Sequence, residues 1–311
     1  MATTTEIQQQ YEQALDSLVE KVQRDHWIIA AILLGSLSYD VVWEKSDIDL
    51  LLVREEGKQK SGGYSLVEAG INVHAIMTTR SEFRKMMEGS LQSSFMHSAV
   101  VMRGRLLFTQ DETIRGFFEN RDRLGARDRE IQLLRAGASV LPALVKAEKW
   151  FHVKQDLDYS FLWIMRCLDG LAAIEVLTQG EITGREVIQQ ALPYNPEFFR
   201  AIYTDLIHGK KTPEVIQTAL QRIHAYMRER VADIFRPILD YLSEAQGVRS
   251  ATELNHYFSN QMNLQGVDGV CEWLADEEII QKLSSPLRLT EKSRVDVQEA
   301  AYYYGGTRDE G

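Results

Sequence analysis

The stretch from Ala30 to Val53, AAILLGSLSYDVVWEKSDIDLLLV, constrains the chain more than any other. An apolar run from Ile28 to Leu34 ends at Gly35-Ser36, and a second, Leu50 to Val53, follows directly on Asp47 and Asp49. Short apolar runs bounded by turn residues read as strand, turn, strand. Side chains alternate along a strand, so Asp47 and Asp49 share one face, with Cα atoms roughly 6.6 Å apart. A strand that continues into Leu-Leu-Leu-Val gains nothing from two charged same-face positions unless they bind something. Such a pair suits divalent cations, and Gly35-Ser36, having no bulky side chain, lets backbone N–H groups approach a phosphate at the start of a short helical turn. Hard cations held between carboxylates and phosphate oxygens are a common way to bind a nucleoside triphosphate.

Leu34-Gly35-Ser36, ten intervening residues, then Asp47-Ile48-Asp49-Leu50, with Ser46 ahead of the first aspartate, resembles the signature of the DNA polymerase β type of nucleotidyltransferase. The resemblance implies that Asp47 and Asp49 ligate Mg²⁺ or Mn²⁺ and that Gly35, Ser36 and Ser46 lie against the triphosphate. It also implies a third carboxylate on a neighbouring strand. The strand that should carry it is Gly70 to Met77, whose polar face presents Asn72 and His74. Three readings stay open. A carboxylate from the following helical region, Asp156, Asp158 or Glu148, takes the role; His74, with an imidazole suited to proton transfer near neutral pH, is the base; or the protein binds nucleotide with little or no turnover. Lys149, in a cluster with Lys146 and Lys154, is a candidate for meeting the triphosphate.

Hydrophobic periodicity orders the rest. Ile7, Tyr11, Leu15, Leu18 and Val22 predict a leading amphipathic helix. Residues 55–65 read as a charged, Gly-rich turn, 70–77 as a strand, 81–87 and 92–101 as helices, 104–108 as a strand and 111–121 as a helix. From Asp122 the pattern is helix after helix: 131–153 broken or kinked at Pro142, an apolar and central 159–177, short helices near Pro193 and Pro196, and 212–230. The last segment predicts helices at 232–245, 251–259 and 264–275, a short hairpin of 279–283 and 287–290 about a turn at Ser284-Ser285-Pro286, and a closing helix over 291–303. The expected class is α+β: a small mixed-sheet nucleotidyltransferase domain (1–121), an all-α second domain (122–240) and a winged-helix-like C-terminal module (241–311). The second domain resembles the substrate-binding half of aminoglycoside nucleotidyltransferases. The whole order resembles a family of nucleotidyltransferase-like proteins from Gram-positive bacteria.

Composition narrows the partners. With a net charge of −10 and a pI near 5.3, the chain is no broad phosphate-backbone binder. The segment 264–278 holds five acids and no Lys or Arg, which further disfavours nucleic acid. Two cysteines, Cys167 and Cys271, suggest neither a disulfide framework nor a zinc site. The polar N-terminus lacks the basic start and apolar core of a signal peptide, and the longest apolar stretch, Trp27 to Leu34, is well short of the roughly 20 residues of a membrane span, so a cytoplasmic location is expected. The expected function is Mg²⁺-dependent transfer of a nucleoside monophosphate from a triphosphate, ATP first among the choices, to a hydroxyl of a small-molecule or protein acceptor. The alternative is a nucleotide-binding regulator whose C-terminal module docks a partner. Homodimerisation stays open, since related transferases often dimerise.

Overall fold

Seven successive apolar residues build β1 (Ile28–Leu34), in which every residue but Leu34 is buried. Such a strand can exist only with both sheet faces covered. The computed structural model describes residues 4–39, 43–57, 61–90, 104–119, 126–290, 292 and 294–305. The chain divides into two compact units, residues 1–124 and 125–311.

In the first unit, α1 (Thr4–Gln23) precedes β1, and β2 (Ile48–Arg54), β3 (Gly62–Glu68), β4 (Ile71–Thr79), α2 (Arg80–Ser90), β5 (Arg105–Thr109) and α3 (Glu112–Glu119) follow. The five strands lie in the order β3-β4-β2-β1-β5. Only β2 and β4 run parallel; the other neighbours are antiparallel, so the sheet is mixed as expected. One face packs Leu50, Leu52, Val73 and Ala75 against Tyr11, Ala14, Leu15 and Leu18 of α1. The other packs Ile32, Leu51 and Val53 against Phe83 and Met87 of α2 and Ile114 of α3. Each fully buried Leu, Ile or Phe contributes about 1.5–3 kcal/mol through removal of apolar surface from water.

One stretch departs from expectation. The segment read as a Gly-rich turn contains the start of β3, which pairs antiparallel with β4 from Gly62↔Met77 to Glu68↔Ile71. As an edge strand, β3 is mostly exposed and carries no apolar alternation to betray it. Its Glu68 anchors α1, accepting from Lys21 Nζ at 2.6 Å and from Ser17 Oγ at 2.8 Å. The helix expected at 92–101 lies outside the described residues.

The second unit is mainly helical: α4 (Ala126–Glu148), α5 (Leu157–Thr178), α6 (Val187–Ala191), α7 (Pro196–Phe199), α8 (Asp205–His208), α9 (Pro213–Glu229), α10 (Val231–Ile234) and α11 (Arg236–Glu244). Helix α4 continues through Pro142 and passes instead into a π-helical turn at Lys149–Val153. Helix α5 is the central one, with Ile164, Cys167, Leu168, Leu171, Ile174 and Val176 buried. At Gly170 it approaches α4 so closely that a Cβ would collide with Val140 and Ser139. The chain then forms β6 (Arg249–Ser250), α12 (Ala251–Met262), α13 (Val267–Asp276), β7 (Gln281–Leu287) and β8 (Val297–Tyr303), with sheet order β6-β8-β7. Helices followed by a hairpin give the expected winged-helix-like outline.

Two local readings of that outline are corrected. Ser284-Ser285-Pro286 is the middle of edge strand β7, and β8 is a strand in place of the closing helix. As the central strand between β6 and β7, β8 has Ala301 and Tyr302 fully buried, a tertiary reward that outweighs the helical preference of the neighbouring Glu and Ala residues. The helical and C-terminal parts share a core, with Phe235 and Trp273 rings 5.6 Å apart and Arg135 donating to the Met262 carbonyl. Among the described residues no helix is long and apolar enough to cross a membrane. Cys167 and Cys271 are buried, and burial pushes both thiols up to about 12, so neither offers a reactive thiolate.

Candidate functional site

The site grows from the end of β1 and the start of β2. Asp49 pairs with Leu34 on one side and with His74 of β4 on the other. It shares the sheet face of Leu51 and Val53, the face that α2 and α3 cover farther along the strands. Asp47 lies just before β2. His74 Nδ1 stands 3.8 Å from Asp47 Oδ2 and 3.8 Å from Asp49 Oδ1. Those separations are too long for hydrogen bonds and mark electrostatic neighbours. The three side chains are 37%, 45% and 55% exposed respectively for Asp47, Asp49 and His74, so two like charges stand at the surface with an imidazole between them.

Gly35 sits at φ 68°, and a Cβ there would fall on Asp49 Oδ2. Both the left-handed backbone and the carboxylate at its back require glycine. Ser36 opens the short 3₁₀ turn Ser36–Tyr39, which Ser38 closes by donating to the Gly35 carbonyl from its backbone N–H (3.1 Å) and its hydroxyl (2.7 Å). Ser46 closes a second turn: its N–H donates to the Trp43 carbonyl at 2.9 Å, and its Oγ accepts from the Trp43 N–H at 3.2 Å. Gly35, Ser46, Asp47, Asp49 and His74 therefore belong to one constellation, with Ser36 at its border. Between Asn72 and His74, it is His74 that faces both aspartates.

The donor set fits a hard cation. Two carboxylates offer charged oxygens, and Mg²⁺ or Mn²⁺ completes its shell with water and phosphate oxygens without a dedicated protein cage. Among the described residues no group of three or more His, Cys, Asp or Glu is arranged to hold a metal by itself. A separate cavity of about 720 Å³, lined by Arg80, Phe83, Met87, Asp111, Ile114 and Phe117, has its Arg80 and Asp111 paired with each other at 2.7 Å.

Two predicted residues lie in the second unit. Asp156 is the N-cap of α5, its Oδ1 accepting from the Tyr159 N–H at 2.9 Å, and Lys149 is an exposed first residue of the π turn. Glu148 bonds His224, whose other nitrogen is 3.7 Å from Glu277 Oε1, and Glu277 accepts from Arg228 at 2.7 Å. The hydrogen bond to Glu148 raises the His224 pKa above its ordinary value, against the opposing effect of burial. Glu175, 3% exposed, accepts from the Tyr226 hydroxyl at 2.9 Å and from Asn195 and Gln179 at 3.3 Å.

Periodicity places Tyr11 on the buried face of α1 without revealing what its hydroxyl does. The ring is 6% exposed, and the hydroxyl donates to the Ser46 carbonyl at 2.6 Å. Burial, and then the charge of Asp47, raise its pKa and keep it a donor.

No protein-family model matches the sequence, and no curated protein matches it. The chain is similar in structure to a nucleotidyltransferase-like protein from Exiguobacterium sibiricum 255-15, with a TM-score of 0.64 over 94% of this chain and 99% of that one, at 14% sequence identity. At that identity the likeness carries the fold: this chain has the fold of a nucleotidyltransferase-like protein.

Proposed function

We propose that the protein is a divalent-cation-dependent nucleotidyltransferase that moves a nucleoside monophosphate from a nucleoside triphosphate, ATP first among them, to a hydroxyl of a small-molecule or protein acceptor, with pyrophosphate as the leaving group. The observation that carries this reading is the half-exposed Asp47 and Asp49, both 3.8 Å from His74 Nδ1, with Gly35 fitted against Asp49 Oδ2. Asp47 and Asp49 would hold Mg²⁺ or Mn²⁺, which when bound would neutralise and polarise the phosphates. The backbone at Gly35-Ser36, beside the Asp49 carboxylate, would meet a phosphate of the cation-bound triphosphate. His74, beside both aspartates, is placed to take the proton of an attacking hydroxyl.

A second reading is favoured by the same histidine. With an imidazole facing both aspartates, the protein binds the nucleotide and turns it over slowly or not at all. The test is transfer of label from α-labelled ATP in the presence of Mg²⁺, with candidate acceptors. Label transfer lost in Asp47→Asn and Asp49→Asn supports the enzyme; equal transfer by the wild type and either variant sinks it. Cation-dependent nucleotide binding with no product from any acceptor favours the second reading.

A further inference from the structure

Asp49 and Asp47 are held in different ways. Asp49 sits inside the sheet between Leu34 and His74, so two ladders fix its backbone. Asp47 has no such support, because the pairing of β2 with β4 begins at Ile48↔Val73 and that with β1 at Asp49↔Leu34. Its backbone is set from the other side, by the peptide that joins it to Ser46. That peptide is planar, so fixing its carbonyl fixes the direction from which Asp47 leaves. The Ser46 carbonyl accepts from Tyr11, and the turn behind it is closed by the paired bonds between Trp43 and Ser46. Tyr11 is itself held by packing, buried in the core with Leu15 and Leu18 of α1.

We infer that Tyr11 is a positioning residue for Asp47, its hydroxyl clamping the Ser46 carbonyl so that the two carboxylates share one bound cation. The inference rests on the proposed cation–triphosphate role of Asp47 and Asp49. Removing a single hydrogen bond of this kind costs about 0.5–1.5 kcal/mol, which corresponds to a roughly two- to twelvefold change in an equilibrium constant.

Tyr11→Phe keeps the ring and removes the hydroxyl. Lys21→Ala, on the same helix, removes the ion pair to Glu68 and leaves Ser46 untouched. Mn²⁺ affinity is measured by electron paramagnetic resonance with a non-hydrolysable ATP analogue on the full-length wild type and both variants, alongside their melting temperatures. The expected result is about fivefold weaker Mn²⁺ binding in Tyr11→Phe and wild-type binding in Lys21→Ala, whatever the two melting temperatures do. Wild-type affinity in Tyr11→Phe overturns the inference and leaves the proposed function standing. Equal weakening in both variants also overturns it, since a general loosening of α1 would then explain the loss. Failure of the wild type to bind Mn²⁺ with the nucleotide overturns both.

Discussion

Two clusters of charge in this protein, one in each unit, are built differently. In the second unit the Glu175 carboxylate is buried and accepts from Tyr226, Asn195 and Gln179, while Glu148 bonds His224 and Glu277 accepts from Arg228, with His224 and Glu277 3.7 Å apart. In the first unit Asp47 and Asp49 stand half-exposed beside each other, with His74 at 3.8 Å from both, too far for a hydrogen bond. Charge satisfied internally holds a fold together. Two like charges set close together at the open end of a strand add mutual repulsion, which a bound cation would offset.

The largest effect should separate the two kinds of charge. Asp47→Asn or Asp49→Asn is expected to lower cation-dependent transfer on the order of 10³-fold, since a bound cation supplies several kcal/mol of charge stabilisation. The melting temperature of Asp47→Asn should stay the same or rise, and nucleotide-free thermal denaturation beside a transfer assay checks both. Tyr226→Phe should behave conversely. Leaving Glu175 short of a donor costs about 2 kcal/mol of stability, read from denaturant midpoints, with cation binding unchanged.

His74→Asp sharpens the contrast inside the first unit. A third carboxylate facing Asp47 and Asp49 should strengthen Mn²⁺ binding about tenfold while costing about 1 kcal/mol of nucleotide-free stability through like-charge repulsion. Weaker Mn²⁺ binding would mean that His74 contributes more to the site than an acid could.

The smallest effect is a pH dependence in the second unit. Folding raises the His224 pKa, chiefly through its hydrogen bond to Glu148. The protonated imidazole is therefore favoured in the native state, and its contribution to stability is complete below the ordinary histidine value near 6.5. That contribution is lost as pH rises through the higher native value. The stability difference between wild type and His224→Gln should shrink over that window in denaturant titrations at stepped pH; a constant difference would show that the Glu148 contact does not depend on charge.

Much of the first unit could be read from residue order because its signals are local. The apolar runs of β1 and β2, the alternation in β4 and the spacing of Asp47 and Asp49 depend on neighbours along the chain. Strand β3 escaped because an edge strand need not alternate, and β8 because its burial comes from its place between β6 and β7 and not from its own composition. The acids of 264–278 show the same limit. They read as a uniformly repelling face, yet Glu272 pairs with Lys282 and Tyr302, Glu277 with Arg228, and Asp268 with Asn255. Those partners lie 10 to 49 residues away. Tyr11 was legible as a core residue and illegible as a clamp, since nothing near it in the chain announces the Ser46 carbonyl.

Calorimetric titration of a non-hydrolysable ATP analogue, with and without Mg²⁺, into wild type and the Asp47→Asn/Asp49→Asn double variant tests the central claim most directly. Binding by the wild type that requires Mg²⁺ and disappears in the double variant is the predicted result; equal binding by both proteins, or binding indifferent to Mg²⁺, would contradict it.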